Sequence, residues 1–277
     1  MPASTAKIPI ALTIAGSDSS GGAGIQADLK TFSAFGVYGA SVLTALTAQN
    51  TRGVQGVEPV RPEFVEAQLA SVLDDLDVRA IKTGMLANSA IVSAVAGTLA
   101  RVPVIPVVVD PVMVATSGDR LLAPDAVAAY KAELFPLATL VTPNLPEAAA
   151  LLGVSVATTE DEAIAQARAI FAFGSRAVLV KGGHGHGSEA VDILVSGDTV
   201  VLIAAPRIET RHTHGTGCTL SAAIAALLAR GEGLEPAVRR AKDYVTAAIA
   251  AGRELGVGHG NGPVDHLYAI RRGAPPV

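Results

Sequence analysis

Strand-length apolar runs alternate with helix-period segments along most of this chain, and that alternation constrains its fold more tightly than any other feature. Residues 10–15 read as a buried strand followed by a glycine-rich turn. Residues 24–35 then carry Ile25, Leu29, Phe32 and Phe35 at helical spacing. Residues 40–48 read as a second strand. Pro62 stands where a first helical turn begins, and Phe64, Val65, Leu69, Val72, Leu73 and Leu76 make one apolar face. Residues 80–83 predict a short strand, and 88–99 a helix capped by Asn88. Strands are expected at 104–109, 139–142 and 177–181, and helices at 124–135, 146–152 and 159–173. A hairpin is expected from 191–195 and 200–204 around Gly197-Asp198, and two long helices at 217–228 and 235–255. The pattern predicts an α/β fold: a mainly parallel central sheet with helices on both faces. No repeat, linker or charge block interrupts it, so one domain over residues 1–277 is expected, with an ordered core from about 8 to 270 and frayed ends.

Composition narrows the function classes. Lys plus Arg total 21 against 25 Asp plus Glu, a net charge of −4, and no basic run or stripe appears, which argues against nucleic acid as a partner. Half of the residues are hydrophobic and 17% are charged, which excludes disorder. The longest apolar runs, such as 102–109, fall far below the roughly 18–20 residues that span a bilayer. Residues 8–16, preceded by Lys7, weakly mimic a signal peptide, but about eight apolar residues and one charge read better as the first strand. The single cysteine rules out an intrachain disulfide and fits the reducing cytoplasm.

In a parallel sheet the active site lies beyond the carboxyl ends of the strands. The segments there are 16–24, 49–52, 84–86, 110–119, 143–147 and 182–187, rich in Gly, Asp, Asn, Gln, Lys and His. The first contains Gly22-x-Gly24-x-x-Ala27, a loose dinucleotide fingerprint without the ribose-binding acid that should follow. A plain strand-to-helix turn would explain it; so many glycines favour a loop whose amides approach a ligand. Asp28 is either a solvated first-turn aspartate or a ligand group. Gln49 offers a donor and an acceptor, suited to a heterocycle with a ring nitrogen beside an amino group. The strongest local signal is His214-Gly215-Thr216-Gly217-Cys218-Thr219 opening an apolar helix. Free amides at a helix start are a ready anion site, and a cysteine in that first turn should have a lowered pKa; the alternative is a small buried hydrophobe. Lys181 ends a strand and can meet phosphate as a point charge. Asp110, Asn144 and Glu147 bring hard oxygens suited to Mg²⁺. The His184-x-His186 and His212-x-His214 pairs lack the neighbours of a structural zinc site.

In this order the motifs resemble the ribokinase-like small-molecule kinases, and more closely the bacterial hydroxymethylpyrimidine/phosphomethylpyrimidine kinases of thiamine biosynthesis. They are the run 15–31, the run 47–51, Ile81-Lys82-Thr83-Gly84-Met85-Leu86, Asp110-Pro111-Val112-Met113, Thr142-Pro143-Asn144-Leu145-Pro146-Glu147-Ala148, Lys181-Gly182-Gly183-His184 and the run 213–219. The resemblance implies a three-layer α-β-α fold and an ATP- and Mg²⁺-dependent kinase acting twice, first on 4-amino-5-hydroxymethyl-2-methylpyrimidine and then on its monophosphate. It implies that Asp28 and Gln49 bind the aminopyrimidine with backbone help near Gly16 and Thr47, while Met85 and Val112 pack on the ring. Gly215, Thr216, Gly217 and Cys218 would form the anion hole, with Cys218 as candidate base. Lys181 and Asn144, with Thr216 and Gly217, would meet the nucleotide, and Asp110 and Glu147 the metal. It implies a homodimer and leaves Arg211 and His212 without a role. The nearest rival is a pyridoxal kinase on the same scaffold; a non-catalytic ligand sensor and a dinucleotide oxidoreductase are further ones.

Overall fold

The structure is a computed structural model that describes residues 7–102, 105–113, 125–185, 187–271 and 273. The expectations for the two tails, for the starts of the 104–109 strand and the 124–135 helix, for His186 and for residues 114–119 of the 110–119 segment lie outside those residues.

Ten strands and nine helices are described: β1 (Ile10–Ala15), α1 (Gly24–Ala34), β2 (Tyr38–Leu43), β3 (Ala45–Asn50), β4 (Gly53–Pro59), α2 (Pro62–Asp75), β5 (Val78–Thr83), α3 (Ser89–Leu99), β6 (Val107–Val109), α4 (Ala126–Ala129), β7 (Leu140–Val141), α5 (Leu145–Leu152), α6 (Glu160–Phe171), β8 (Val178–Val180), β9 (Glu189–Ser196), β10 (Thr199–Pro206), α7 (Thr216–Ala229), α8 (Leu234–Gly252) and α9 (Tyr268–Arg271). Eight strands form one sheet in the order β10-β9-β8-β7-β6-β5-β1-β2. The pairs from β2 across to β8 are parallel, and the β9–β10 hairpin adds two antiparallel strands at one edge.

Helices cover both faces, as the alternation requires. Within β1, Leu12 and Ile14 join the core beneath α2, α3, α5 and α6, while Ala11 faces the core of α1, α7 and α8. Alanine explains the second layer: in α7 all but the first three residues are buried, and its short side chains let it lie between the sheet and α8. Local signals set the helix ends. Asn88 caps α3 by accepting from the Ile91 N–H at 3.0 Å, and both Asn144 with Glu147 and Thr159 with Glu162 form capping boxes.

Two expectations need correction. The segment 40–48 is not one strand. Thr44 ends β2: its N–H bonds Ala15 O, its carbonyl accepts from Val60 and its hydroxyl donates to Met85 O at 2.6 Å. The chain beyond it peels away as β3, which pairs antiparallel with β4 in a separate two-stranded sheet. The helix at 124–135 is also irregular: α4 passes into a π-helical turn at Tyr130–Leu134 and a 3-10 turn at Phe135–Leu137, where Pro136 cannot continue the ladder.

Candidate active site

The strand ends open into one cavity of about 680 Å³. One end is walled by Gly16, Thr47, Gln49, Met85 and Val112; the other by Asn144, Glu147, His184, Arg207, Lys242 and Thr246, with an apolar slot of Ala190, Pro206, Ile208, Val245 and Ile249. Lys181, Asp110 and residues 215–218 also line it.

The glycine-rich loop and the β3–β4 hairpin build the first end together. The Ser17 N–H donates to Ala45 O at 2.9 Å, and Ser19 Oγ donates to the Gln49 carbonyl at 2.8 Å while accepting the Gln49 N–H at 2.9 Å. The Thr47 hydroxyl lies 2.8 Å from Ser17 O and 3.1 Å from Gln49 Oε1. The one hydroxyl proton serves one of these two oxygens at a time, and the Gln49 side chain lines the cavity. Gly16 lies directly against the end of the flexible Met85 side chain.

The phosphate loop is the start of α7. Gly215 caps the helix in the left-handed region at φ 80°, and a Cβ on it would strike the Gly22 carbonyl. The first helical bond runs from the Thr219 N–H to Gly215 O at 2.8 Å, and the Thr216 N–H bonds Thr213 O at 3.2 Å. Among the described residues the N–H groups of Gly215, Gly217 and Cys218 meet no backbone acceptor, as the first turn of a helix leaves them. His214 Nε2 lies 2.7 Å from Asp18 Oδ2, which also accepts the Gly22 and Ala23 N–H groups. Burial opposes the Asp18 charge, but hydrogen bonds from His214 and Ser20 outweigh it and hold the carboxyl well below its usual range. The first and last glycine turns are thus fastened by one buried His214–Asp18 hydrogen bond.

Lys181 stands beside this loop. Its Nζ is 2.8 Å from Asp110 Oδ1 and 3.7 Å from Glu147 Oε2, and a Cβ on Gly217 would lie 3.2 Å from it. Burial opposes the ammonium, but Asp110 and Glu147 raise its pKa above the usual lysine range. Burial, helped by Asp110, lifts Glu147 to about 6 against the pull of Lys181. Asn144 spends its side-chain oxygen on the Glu147 N–H at 2.8 Å, which leaves its amide nitrogen toward the cavity wall. Asp110 and Glu147 are hard oxygen donors fit for Mg²⁺. Among the described residues no three His, Cys, Asp or Glu stand close enough to ligate one ion, so these two carboxylates suit a cation held mostly through waters and phosphate.

Two sequence expectations fail here. Asp28 does not reach the cavity: it is fully buried, its carboxyl bonded to Lys82 at 2.8 and 3.0 Å and to the Thr13 hydroxyl at 2.6 Å. Burial opposes the charge on Lys82, but Asp28 keeps it protonated, raised above its ordinary range. The Cys218 thiol is not acidic. Burial pushes it up to about 11, outweighing the nearby Lys82 charge and the Gly24 N–H that donates to its sulfur. The remaining sequence candidates all face the cavity. Sequence reasoning gave no role to Asp18, His214, Lys82, Arg207, or the Lys242–Asp192 pair at 2.8 Å. A lysine inside the apolar run Ala80-Ile81-Lys82 was a usable signal of a buried ion pair.

The family model described as phosphomethylpyrimidine kinase matches residues 18–265. The chain belongs to that family. It is a small-molecule kinase. The hydroxymethylpyrimidine/phosphomethylpyrimidine kinase of Rhizobium meliloti is 61% identical over 259 residues, which span 94% of this chain and 97% of that one. Among solved structures, Bacillus subtilis pyridoxal kinase in an ADP complex superposes with a TM-score of 0.86 at 42% identity, covering 95% of this chain and 99% of that one. Phosphomethylpyrimidine kinase from Clostridium difficile superposes with a TM-score of 0.77 at 45% identity, covering 88% and 100%. The likenesses confirm the ribokinase-like fold and support ATP as the phosphoryl donor. No described helix is long and apolar enough to cross a membrane.

Proposed function

We propose that this chain transfers the terminal phosphoryl group of ATP to the hydroxymethyl oxygen of 4-amino-5-hydroxymethyl-2-methylpyrimidine, and a second one to the resulting monophosphate, as a step of thiamine biosynthesis. One observation carries the reading: the unpaired amides of Gly217 and Cys218 and the Lys181 ammonium lie at one point of the cavity that Gln49 also lines. In the assignment we make, Gln49 donates to the ring and Thr47 fixes its amide, while Met85 and Val112 pack on the ring faces. Asn144, Thr216 and Lys242 hold the nucleotide's phosphates, and its base enters the apolar slot.

Phosphoryl transfer needs alignment and charge neutralisation more than covalent help. Gly215, Gly217 and Cys218 present their N–H groups to the charge that develops on the transferring group, and Lys181 adds a full positive charge. Held through water by Asp110 and Glu147, Mg²⁺ would neutralise phosphate oxygens. With a thiol pKa near 11, Cys218 holds its proton at neutral pH. We therefore assign its backbone N–H to the anion hole and its side chain to a contact beside the substrate hydroxyl, rather than to a thiolate base.

We place the enzyme in the cytoplasm as one domain and as a homodimer; the exposed apolar side chains of Tyr38, Leu46, Val57 and Phe64 support the dimer, which light scattering reads. Phosphorylation of pyridoxal is the second reading, favoured by the likeness to Bacillus subtilis pyridoxal kinase. A coupled assay of ADP release decides: turnover is expected with the pyrimidine alcohol and with its monophosphate, and faster than with pyridoxal. No turnover with either pyrimidine would overturn the assignment.

A further inference from the structure

The segment 258–266 touches both halves of the site. It begins on the tip of the β3–β4 hairpin, where the Asn261 N–H donates to the Thr51 carbonyl at 2.8 Å. The His259 and Gly260 N–H groups donate to Thr51 Oγ1 at 3.2 and 3.1 Å. A Cβ on Gly260 would strike the Thr51 carbonyl, so the two backbones are in direct contact. The segment then meets the phosphate loop. The Gly262 N–H donates to His212 Nδ1 at 3.1 Å, and Gly262 O accepts the His214 N–H at 3.1 Å. The Val264 N–H returns to His214 O at 3.3 Å. The segment ends against α7 and α8: His266 Nε2 lies 3.0 Å from Thr219 Oγ1 of α7, and the Tyr244 hydroxyl of α8 donates to His266 O at 2.6 Å.

Gln49 is two residues before Thr51, and the free amides of Gly215, Gly217 and Cys218 directly follow His214. The glycine-rich loop joins the same two pieces on the other side, through Ser19 with Gln49 and Asp18 with His214. Hairpin, glycine-rich loop, phosphate loop and the 258–266 segment therefore form a closed ring of contacts that ties the acceptor hairpin to the phosphate loop from behind the cavity-lining residues. A ring fixes orientation as well as distance, and phosphoryl transfer is sensitive to both. We propose that residues 258–266 are a strap that sets the phosphate loop against the acceptor hairpin, with Thr51 and His212 as positioning residues for the transfer. The Gly262 N–H requires an unprotonated Nδ1, so the ring proton of His212 lies on Nε2. The ring contributes one acceptor, which an asparagine oxygen can replace.

The proposal rests on the kinase reading of the site, and the parent's turnover in the same assay tests that reading separately. His212→Phe keeps a ring and removes the acceptor; His212→Asn restores an acceptor; Thr51→Val keeps the shape and removes the hydroxyl. The expected result is a kcat lowered about tenfold or more in His212→Phe and Thr51→Val, against a ceiling of about 10² for a misplacement of an ångström. The KM for ATP should stay within about twofold, and His212→Asn should recover most of the loss. Thr51→Val changes only the hydroxyl of a half-buried turn residue and leaves both strands of the hairpin intact, so it provides a folded variant if His212→Phe melts early. Parent-like kcat in Thr51→Val, or a His212→Asn variant that melts like the parent yet turns over as slowly as His212→Phe, overturns the strap.

Discussion

Lys82 and Lys181 both stand at the carboxyl edge of the sheet, and each donates to an aspartate at 2.8 Å. Their surroundings separate them. Lys82 and Asp28 are wholly shielded, and Thr13 adds a third bond to the carboxyl, so the pair has no face open to solvent. The Lys181 side chain is 12% exposed, faces a second carboxylate at Glu147 and borders the unpaired amides of the phosphate loop. A closed ion pair fastens α1 to β5; an ion pair with a surplus carboxylate and an open side can exchange partners with an incoming phosphate. What separates scaffold from chemistry is the free coordination around the pair, not the pair itself.

The largest effect expected follows from breaking the closed pair. Asp28→Ala leaves an uncompensated ammonium in the core and should cost about 3–5 kcal/mol of stability, read by urea unfolding; a variant as stable as the parent would break the comparison. Lys181→Met should lower kcat about 10²- to 10³-fold, the scale set by losing one preorganised group that stabilises developing charge. Its unfolding midpoint should move far less than that of Asp28→Ala, and the reverse ranking would exchange the roles assigned to the two lysines. Next comes Gln49→Ala, expected to raise the KM for the pyrimidine about five- to a hundredfold through one or two lost hydrogen bonds, with the KM for ATP unchanged. Equal effects on both would remove Gln49 from the acceptor end.

The mildest test concerns Cys218. Its folded thiol keeps a proton up to about 11 against an ordinary 9.0, so stability should fall as pH climbs from about 9 toward 11. As the only cysteine, it gives an unambiguous alkylation signal. The iodoacetamide rate should still be climbing at pH 10, and a plateau near pH 8 would restore an acidic thiol. Because the backbone N–H survives substitution, Cys218→Ala should lose less kcat than Lys181→Met.

The parallel sheet was legible because buried strands write continuous apolar runs and helices write a 3.6 period. Asn88 and Pro62 mark their helix starts by chemistry that acts within one turn. The phosphate loop was legible for the same reason: glycines followed by an apolar helix are a local signature. The hairpin was not, since β4 is mostly exposed or half-buried and carries two glycines and a proline. Asp28 was misassigned because its partner lies 54 residues away, and Asp18 and His214 are 196 apart, distances across which residue type alone says nothing about pairing. For Cys218 the helix start was visible, but the burial that overrides it belongs to the assembled cavity.

The most direct measurement is phosphorus NMR of the parent chain with Mg·ATP and 4-amino-5-hydroxymethyl-2-methylpyrimidine. A pyrimidine monophosphate signal should grow and then give way to a diphosphate, and Lys181→Met should slow both steps at least a hundredfold. A spectrum in which the pyrimidine never gains phosphorus, or a Lys181→Met variant that keeps the parent's pace, would contradict the account.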